Sequence, residues 1–187
     1  MINEYIKELS GKLLSDKDFK DISKIVNGLA SEKKEEYLKE LQNVLGYVPK
    51  RPLYYLYMET IPLLPDGGMR SSIKNACDYI DQLVKFTLED IKFFSRWFRR
   101  PLGPNIEKLK ESIDDDLYNE LVVFNKIYTQ AKHEFHHDID KNFFTYEDTV
   151  YMIYITKKIA EKILPLSERA RDYNIDGITA YRYDYVE

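Results

Sequence analysis

The chain has 187 residues, with 28 Lys plus Arg against 32 Asp plus Glu for a formal net charge of −4, and it is 44% hydrophobic. Seven glycines and seven prolines fall well below the roughly 12% of average usage, a deficit that favours long helices. Together with 16 Tyr, 9 Phe and 1 Trp it excludes disordered and collagen-like classes, and the negative charge excludes bulk coating of DNA.

The chain opens Met1-Ile2-Asn3-Glu4-Tyr5, with no positive segment leading into an apolar stretch, so no signal peptide is expected. Ile2, Tyr5, Ile6, Leu9 and Leu13 recur at helical spacing, interrupted only by Gly11. Ser15-Asp16-Lys17-Asp18 offers a capping start for a second helix bearing Phe19, Ile22, Ile25, Val26 and Leu29. A third begins at Ser31, turns Tyr37, Leu38, Leu41, Val44 and Leu45 inward, and stops at Gly46. Residues 1–46 thus form an N-terminal helical unit, and its interleaved charges mark solvated outer faces.

Residues 47–70 carry Pro49, Pro52, Pro62, Pro65 and the turn Asp66-Gly67-Gly68, with Tyr54, Tyr55 and Tyr57 among them, and form a Pro/Tyr-rich connector. The main bundle follows over 71–165. Its clearest element starts at Ser71 or Ser72 and runs Ile73, Ala76/Cys77, Ile80, Leu83/Val84, Leu88, Ile91, Phe94 and Phe98. That pattern predicts a helix of about 28 residues, roughly 42 Å long, ended by Pro101-Leu102-Gly103-Pro104. Cys77, the lone cysteine, lies on its apolar stripe; it reads as a buried, inert thiol and fits a reducing, cytoplasmic setting.

A short helix through Ile106, Leu109 and Ile113 leads to Asp114, Asp115 and Asp116, acids suited to the positive start of the next helix. That helix carries Leu117, Leu121, Phe124, Ile127/Tyr128, Ala131 and Phe135. Thr145-Tyr146-Glu147-Asp148 resembles a capping box for a last long helix through Val150, Ile153, Ala160, Ile163 and Leu164, stopped near Pro165. Residues 166–187 read as a tail, with aromatic and polar residues alternating at its end. The prediction is a single all-α domain, a multi-helix bundle of three long amphipathic helices with an N-terminal helical subdomain. No run reaches the roughly 18 uninterrupted apolar residues of a membrane span, so no membrane partner is expected.

All three histidines fall in Lys132-His133-Glu134-Phe135-His136-His137-Asp138. His133 and His137, four residues apart, share a helical face and are placed to address one phosphate or one metal; cations at a helix C-terminus also simply suit its negative end. The string matches His-Glu-x-x-His literally, yet no fourth histidine supplies a third zinc ligand. Glu134-x-x-His137 lacks the second such pair that a di-iron bundle needs. Glu32-x-x-Glu35 and Glu111-x-x-Asp114 supply the acidic pairs of an all-α pyrophosphohydrolase, but too far apart for adjacent helices. No metal and no cofactor is therefore assigned.

Read for phosphodiester chemistry, Lys132, the polar His133 and His137 form a cation, a polar residue and a histidine after four intervening positions. On a helix of an all-α bundle this resembles the HEPN superfamily, whose motif is Arg, four to six residues, then His, with a polar residue after the Arg. The resemblance implies metal-independent RNA cleavage at a homodimer interface, with His137 as acid-base residue, Lys132 on the phosphate and His133 as its polar partner. Other family members are inactive interaction modules. Lys132 stands where the family has Arg and cannot make the planar bidentate phosphate contact, so weak or no nuclease activity is implied.

A second candidate is the stretch from Lys92 to Arg100, with Lys92, Arg96, Arg99 and Arg100 interleaved with Phe93, Phe94, Trp97 and Phe98. Cations that track phosphates beside rings that stack bases suit RNA or another single-stranded nucleic acid. The plainer alternative puts Phe94 and Phe98 in the core and the arginines against the helix dipole or the acids Glu111 to Asp116. A different class of function remains open as well: a non-enzymatic homodimeric scaffold using the tyrosines of the connector and tail.

Overall fold

A computed structural model describes residues 2–44, 69–92, 100–132 and 144–175, and all the secondary structure in them is helical. The elements are α1 (Glu4–Leu13), α2 (Asp16–Leu29), α3 (Lys34–Val44), α4 (Met69–Lys92), α5 (Leu102–Leu109), α6 (Asp115–Lys132), α7 (Tyr146–Ile163), a 3-10 turn (Leu164–Leu166) and α8 (Glu168–Ile175). None of these helices is long and apolar enough to cross a membrane.

Local chemistry sets the helix starts. Ser15 and Thr145 both close capping boxes, with Asp18 and Asp148 at the third helical position returning the bond to the cap backbone. Asn3 caps α1 by accepting from the Tyr5 and Ile6 amides, and Asp114 caps α6 by accepting from the Leu117 amide at 2.7 Å. Pro104 falls in the first turn of α5, where its missing N–H costs nothing. Helix α4 begins at Met69, two residues ahead of the predicted start, and is described to Lys92; the predicted continuation to Phe98 lies outside the described residues.

One core joins α1, α4, α5, α6, α7 and α8 through Ile6, Leu9, Ile80, Leu83, Ile106, Phe124, Ile127, Ile155 and Tyr173, all buried. Helices α2 and α3 pack against each other and onto α7 through Ile22, Ile25, Leu41 and Ile153. Helix α1 therefore belongs with α6 and α7, while α2 and α3 form an outer layer. Asp148, fully buried at the start of α7, accepts from the Thr145 amide on one oxygen and from the Asn3 amide, at 2.8 Å, on the other. That single carboxylate fastens the beginning of the chain to α7. The Lys162 ammonium, 2.6 Å from the buried Glu120 carboxylate, ties α7 to α6.

Helix α8 was not expected from the sequence, where this part of the chain reads as tail. Only Ala170 and Tyr173 of its described side chains are buried, too few to raise a periodic signal against Glu168, Arg169, Arg171 and Asp172. Partners on α4 hold it instead. Asp90 accepts from the Ser167 hydroxyl at 2.6 Å and the Arg169 amide at 3.1 Å, Arg169 pairs with Glu89, and the Tyr173 ring packs tilted against Phe86 with centroids 4.9 Å apart.

Between α2 and α3 the Tyr37 ring lies flat on Gly28, so that a β-carbon at position 28 would stand 2.2 Å from a ring carbon. Gly28→Ala is expected to destabilise the protein by about 1–3 kcal/mol, the usual range for overpacking. Combining it with Tyr37→Ala should cost less than the sum of the two single changes, and a denaturant double-mutant cycle reads this coupling.

Candidate functional site

Lys132, at the carboxyl end of α6, belongs to the predicted motif and is described. Arg70, in the first turn of α4, anchors that end: its Nε donates to the Ala131 carbonyl at 2.9 Å and its Nη2 to the Gln130 carbonyl at 3.1 Å. A guanidinium on the last carbonyls satisfies acceptors that the helix leaves open and meets its negative pole. The Lys132 side chain is exposed and folds back over the α6 surface, its ammonium 3.7 Å from the centre of the Tyr128 ring.

Below that ring lies a run of charges on α4. Lys74, Asp78, Asp81, Lys85 and Glu89 follow at intervals of four, three, four and four residues, so they share one face. Asp78 takes the Tyr128 hydroxyl on one oxygen and the Lys74 ammonium, at 2.8 Å, on the other. Asp81 takes Lys85 at 2.6 Å, with both side chains only 8% exposed, and its other oxygen is buried without a hydrogen-bond partner. Glu89 meets Arg169 of α8.

Burial pushes the Asp81 carboxyl above its ordinary value, against the pull of Lys85 and, more weakly, of Lys132. Burial and the Asp78 charge hold the Tyr128 phenol far up its scale, so it is a hydrogen-bond donor at any working pH. The Cys77 thiol, fully buried on the same helix, is also pushed well up, chiefly by burial, and is the inert cysteine that its place on the stripe predicts. Among the described residues no group of three or more His, Cys, Asp or Glu is placed to hold a metal ion.

His133 and His137 lie outside the described residues, as do His136, Arg96 and Arg99. Lys92 is the last residue of α4, and Arg100 is exposed ahead of α5, its carbonyl accepting from Asn105 at 3.4 Å. Of the residues described from the two predicted patches, Lys132 and Lys92 lie far apart. Arg70 marks the Lys132 end of α4, and Lys92 stands 22 residues further on, or about 33 Å at 1.5 Å per residue. Glu32, Glu35, Glu111 and Asp114 are all exposed, and Asp114 is spent on capping α6.

Asp78, Asp81, Lys85 and Tyr128 form a polar group that no motif in the sequence marks. The heptad-like spacing of charges along α4 was a signal that could have exposed it. No protein-family model matches this chain, and no curated protein or solved structure does so either.

Proposed function

We propose that this chain is a HEPN-like, RNA-associated helical protein with weak or no nuclease activity. On this reading α4, α6 and α7 are the three long helices of the bundle, α1 to α3 are its N-terminal addition, and the chain works as a cytoplasmic homodimer. The observation that carries the reading is the setting of Lys132. Its ammonium sits exposed at the end of α6, from which the chain runs directly into His133 and His137, so it is available to a phosphate. The same ammonium is held over the Tyr128 ring, and a lysine there offers a phosphate a point charge without the planar bidentate contact of an arginine. Association without efficient cleavage follows from that balance.

The engagement of that ammonium by the Tyr128 ring also favours a second reading, a non-enzymatic homodimeric scaffold that binds no RNA. One experiment separates the two. A short single-stranded RNA incubated with the protein in excess EDTA is expected to be retarded at low salt, released as salt rises, and left largely intact. Arg96→Ala/Arg99→Ala should abolish the retardation. Absence of retardation at low salt removes RNA association and leaves the scaffold. Rapid cleavage that disappears in His137→Ala would overturn the assignment of weak or no activity.

A further inference from the structure

Between α1, α2 and α7 the surface opens into a groove of about 420 Å3 lined by Ile2, Lys7, Ser10, Gly11, Phe19 and Tyr151. Its size falls within the range of small-molecule sites, and its lining is largely apolar with few polar groups, as such sites are. Its lining includes none of the residues described at the Lys132 end of α6.

Gly11 marks the groove as more than a packing gap. It sits inside α1, where glycine is a poor choice because it gives up the most backbone freedom on folding. At Gly28 the neighbouring Tyr37 ring explains the missing side chain, but at Gly11 no atom lies within 4 Å of the place where a β-carbon would stand. The protein's own packing therefore imposes no need for glycine there. A ligand resting against the α1 backbone would impose one, since Gly11 is part of the groove lining.

The lining defines the chemistry of the occupant. Phe19 and Tyr151 form an aromatic wall, their rings 6.2 Å apart and inclined at 57°, an arrangement that accepts a further ring edge to face. Lys7 is the only ionisable cation of the lining; it is exposed at the rim and makes no ion pair among the described residues. Burial and, less strongly, the Glu147 charge raise the Tyr151 phenol, so that side keeps a neutral hydroxyl and Lys7 is the group of the lining that suits a ligand's negative charge.

We propose that this groove binds a small aromatic carboxylate, with its ring against Phe19 and Tyr151, its edge on the α1 backbone at Gly11 and its carboxylate on Lys7. The test is an amide-detected NMR titration of the full chain with 3-phenylpropionate and with its neutral amide, 3-phenylpropanamide. Saturable shifts centred on Gly11 and Tyr151 are expected, with the carboxylate bound more tightly than the amide. Gly11→Met places a side chain in the groove and should weaken binding at least about tenfold while the melting temperature holds or rises; Gly11→Gln repeats the test with a polar chain. Lys7→Gln should erase the preference for the carboxylate and leave the amide unaffected. The proposal is overturned if no saturable shift appears at Gly11, or if Gly11→Met and Gly11→Gln bind as the parent does. It is also overturned if the same amides shift on concentrating the protein alone, which would put a second copy of the chain in the groove.

Discussion

Lys85→Met is expected to destabilise the protein by about 3–5 kcal/mol at neutral pH, the range seen when one partner of a buried ion pair is removed. Asp81 and Lys85 face each other at 2.6 Å, each side chain 8% exposed, and the second Asp81 oxygen already lacks a hydrogen-bond partner. Without the ammonium the carboxylate is left buried with no direct counter-ion. The double change Asp81→Leu/Lys85→Met should recover most of the loss, because an apolar pair of similar volume needs no desolvation to be offset. Chemical denaturation of the three variants measures both values. A loss below about 1 kcal/mol for Lys85→Met would mean that water reaches the pair and that it behaves as a surface ion pair.

The same pair dictates the sign of a pH effect. Burial raises the Asp81 carboxyl in the folded protein above its ordinary value of 3.8. For an acid shifted in that direction, the stability it contributes is complete below the unfolded value and is lost as pH rises through the folded one. In Lys85→Met the counter-charge is gone and the upward shift grows. The deficit of this variant relative to the parent is therefore expected to shrink as pH falls from neutrality into the acid range, as Asp81 takes up a proton and needs no cation. A deficit that is constant over this range would show that Asp81 keeps its proton state unchanged in the variant.

How much of this molecule can be read from its sequence follows from how far apart the interacting residues lie. The capping boxes at Ser15 and Thr145 are legible because donor and acceptor are three residues apart. So is the helical phase of α4, whose Ile73, Ile80 and Val84 are fully buried as the periodicity requires. The acids Asp114 to Asp116 do begin α6. The polar half of α4 is not legible in the same way, since a charge stripe on a helix reads first as a solvated face. Here Asp81, Lys85 and Glu89 are buried, because α6 and α8 supply Tyr128 and Arg169 to the same face. Tyr128 reaches Asp78 across 50 positions in sequence, and Arg169 reaches Glu89 across 80. At the candidate site Lys132 was identifiable from its place before the histidines. The ring beneath it and the carboxylates below that ring were not, for they are joined to it only by the packing of α6 on α4.

Tyr173→Ala should destabilise the protein by about 3–5 kcal/mol, as large-to-small changes at fully buried aromatic positions do. Tyr173 is 1% exposed, the bulkiest fully buried side chain among the described residues, and its ring is inclined 42° to that of Phe86 at a centroid distance of 4.9 Å. Such a loss is a large part of the roughly 5–15 kcal/mol that holds a typical domain together. It should not be spread evenly over the structure. Besides the turn that leads into it, α4 is the element against which α8 packs most extensively, and its other ties there are polar: Glu89 with Arg169, Asp90 with Ser167 and the Arg169 amide, and the Tyr79 hydroxyl with Asn174. Removing the ring takes away the main apolar anchor and leaves those bonds to hold an eight-residue helix that is too short to persist alone. Amide exchange in Tyr173→Ala is therefore expected to rise first over Glu168–Ile175 and along the Tyr79 and Phe86 face of α4, while α2 and α3, packed on the far side of α7, keep their protection until global unfolding. Uniform loss of protection, with α2 and α3 opening together with α8, would show that both clusters unfold as one unit and that the anchoring of α8 is not local.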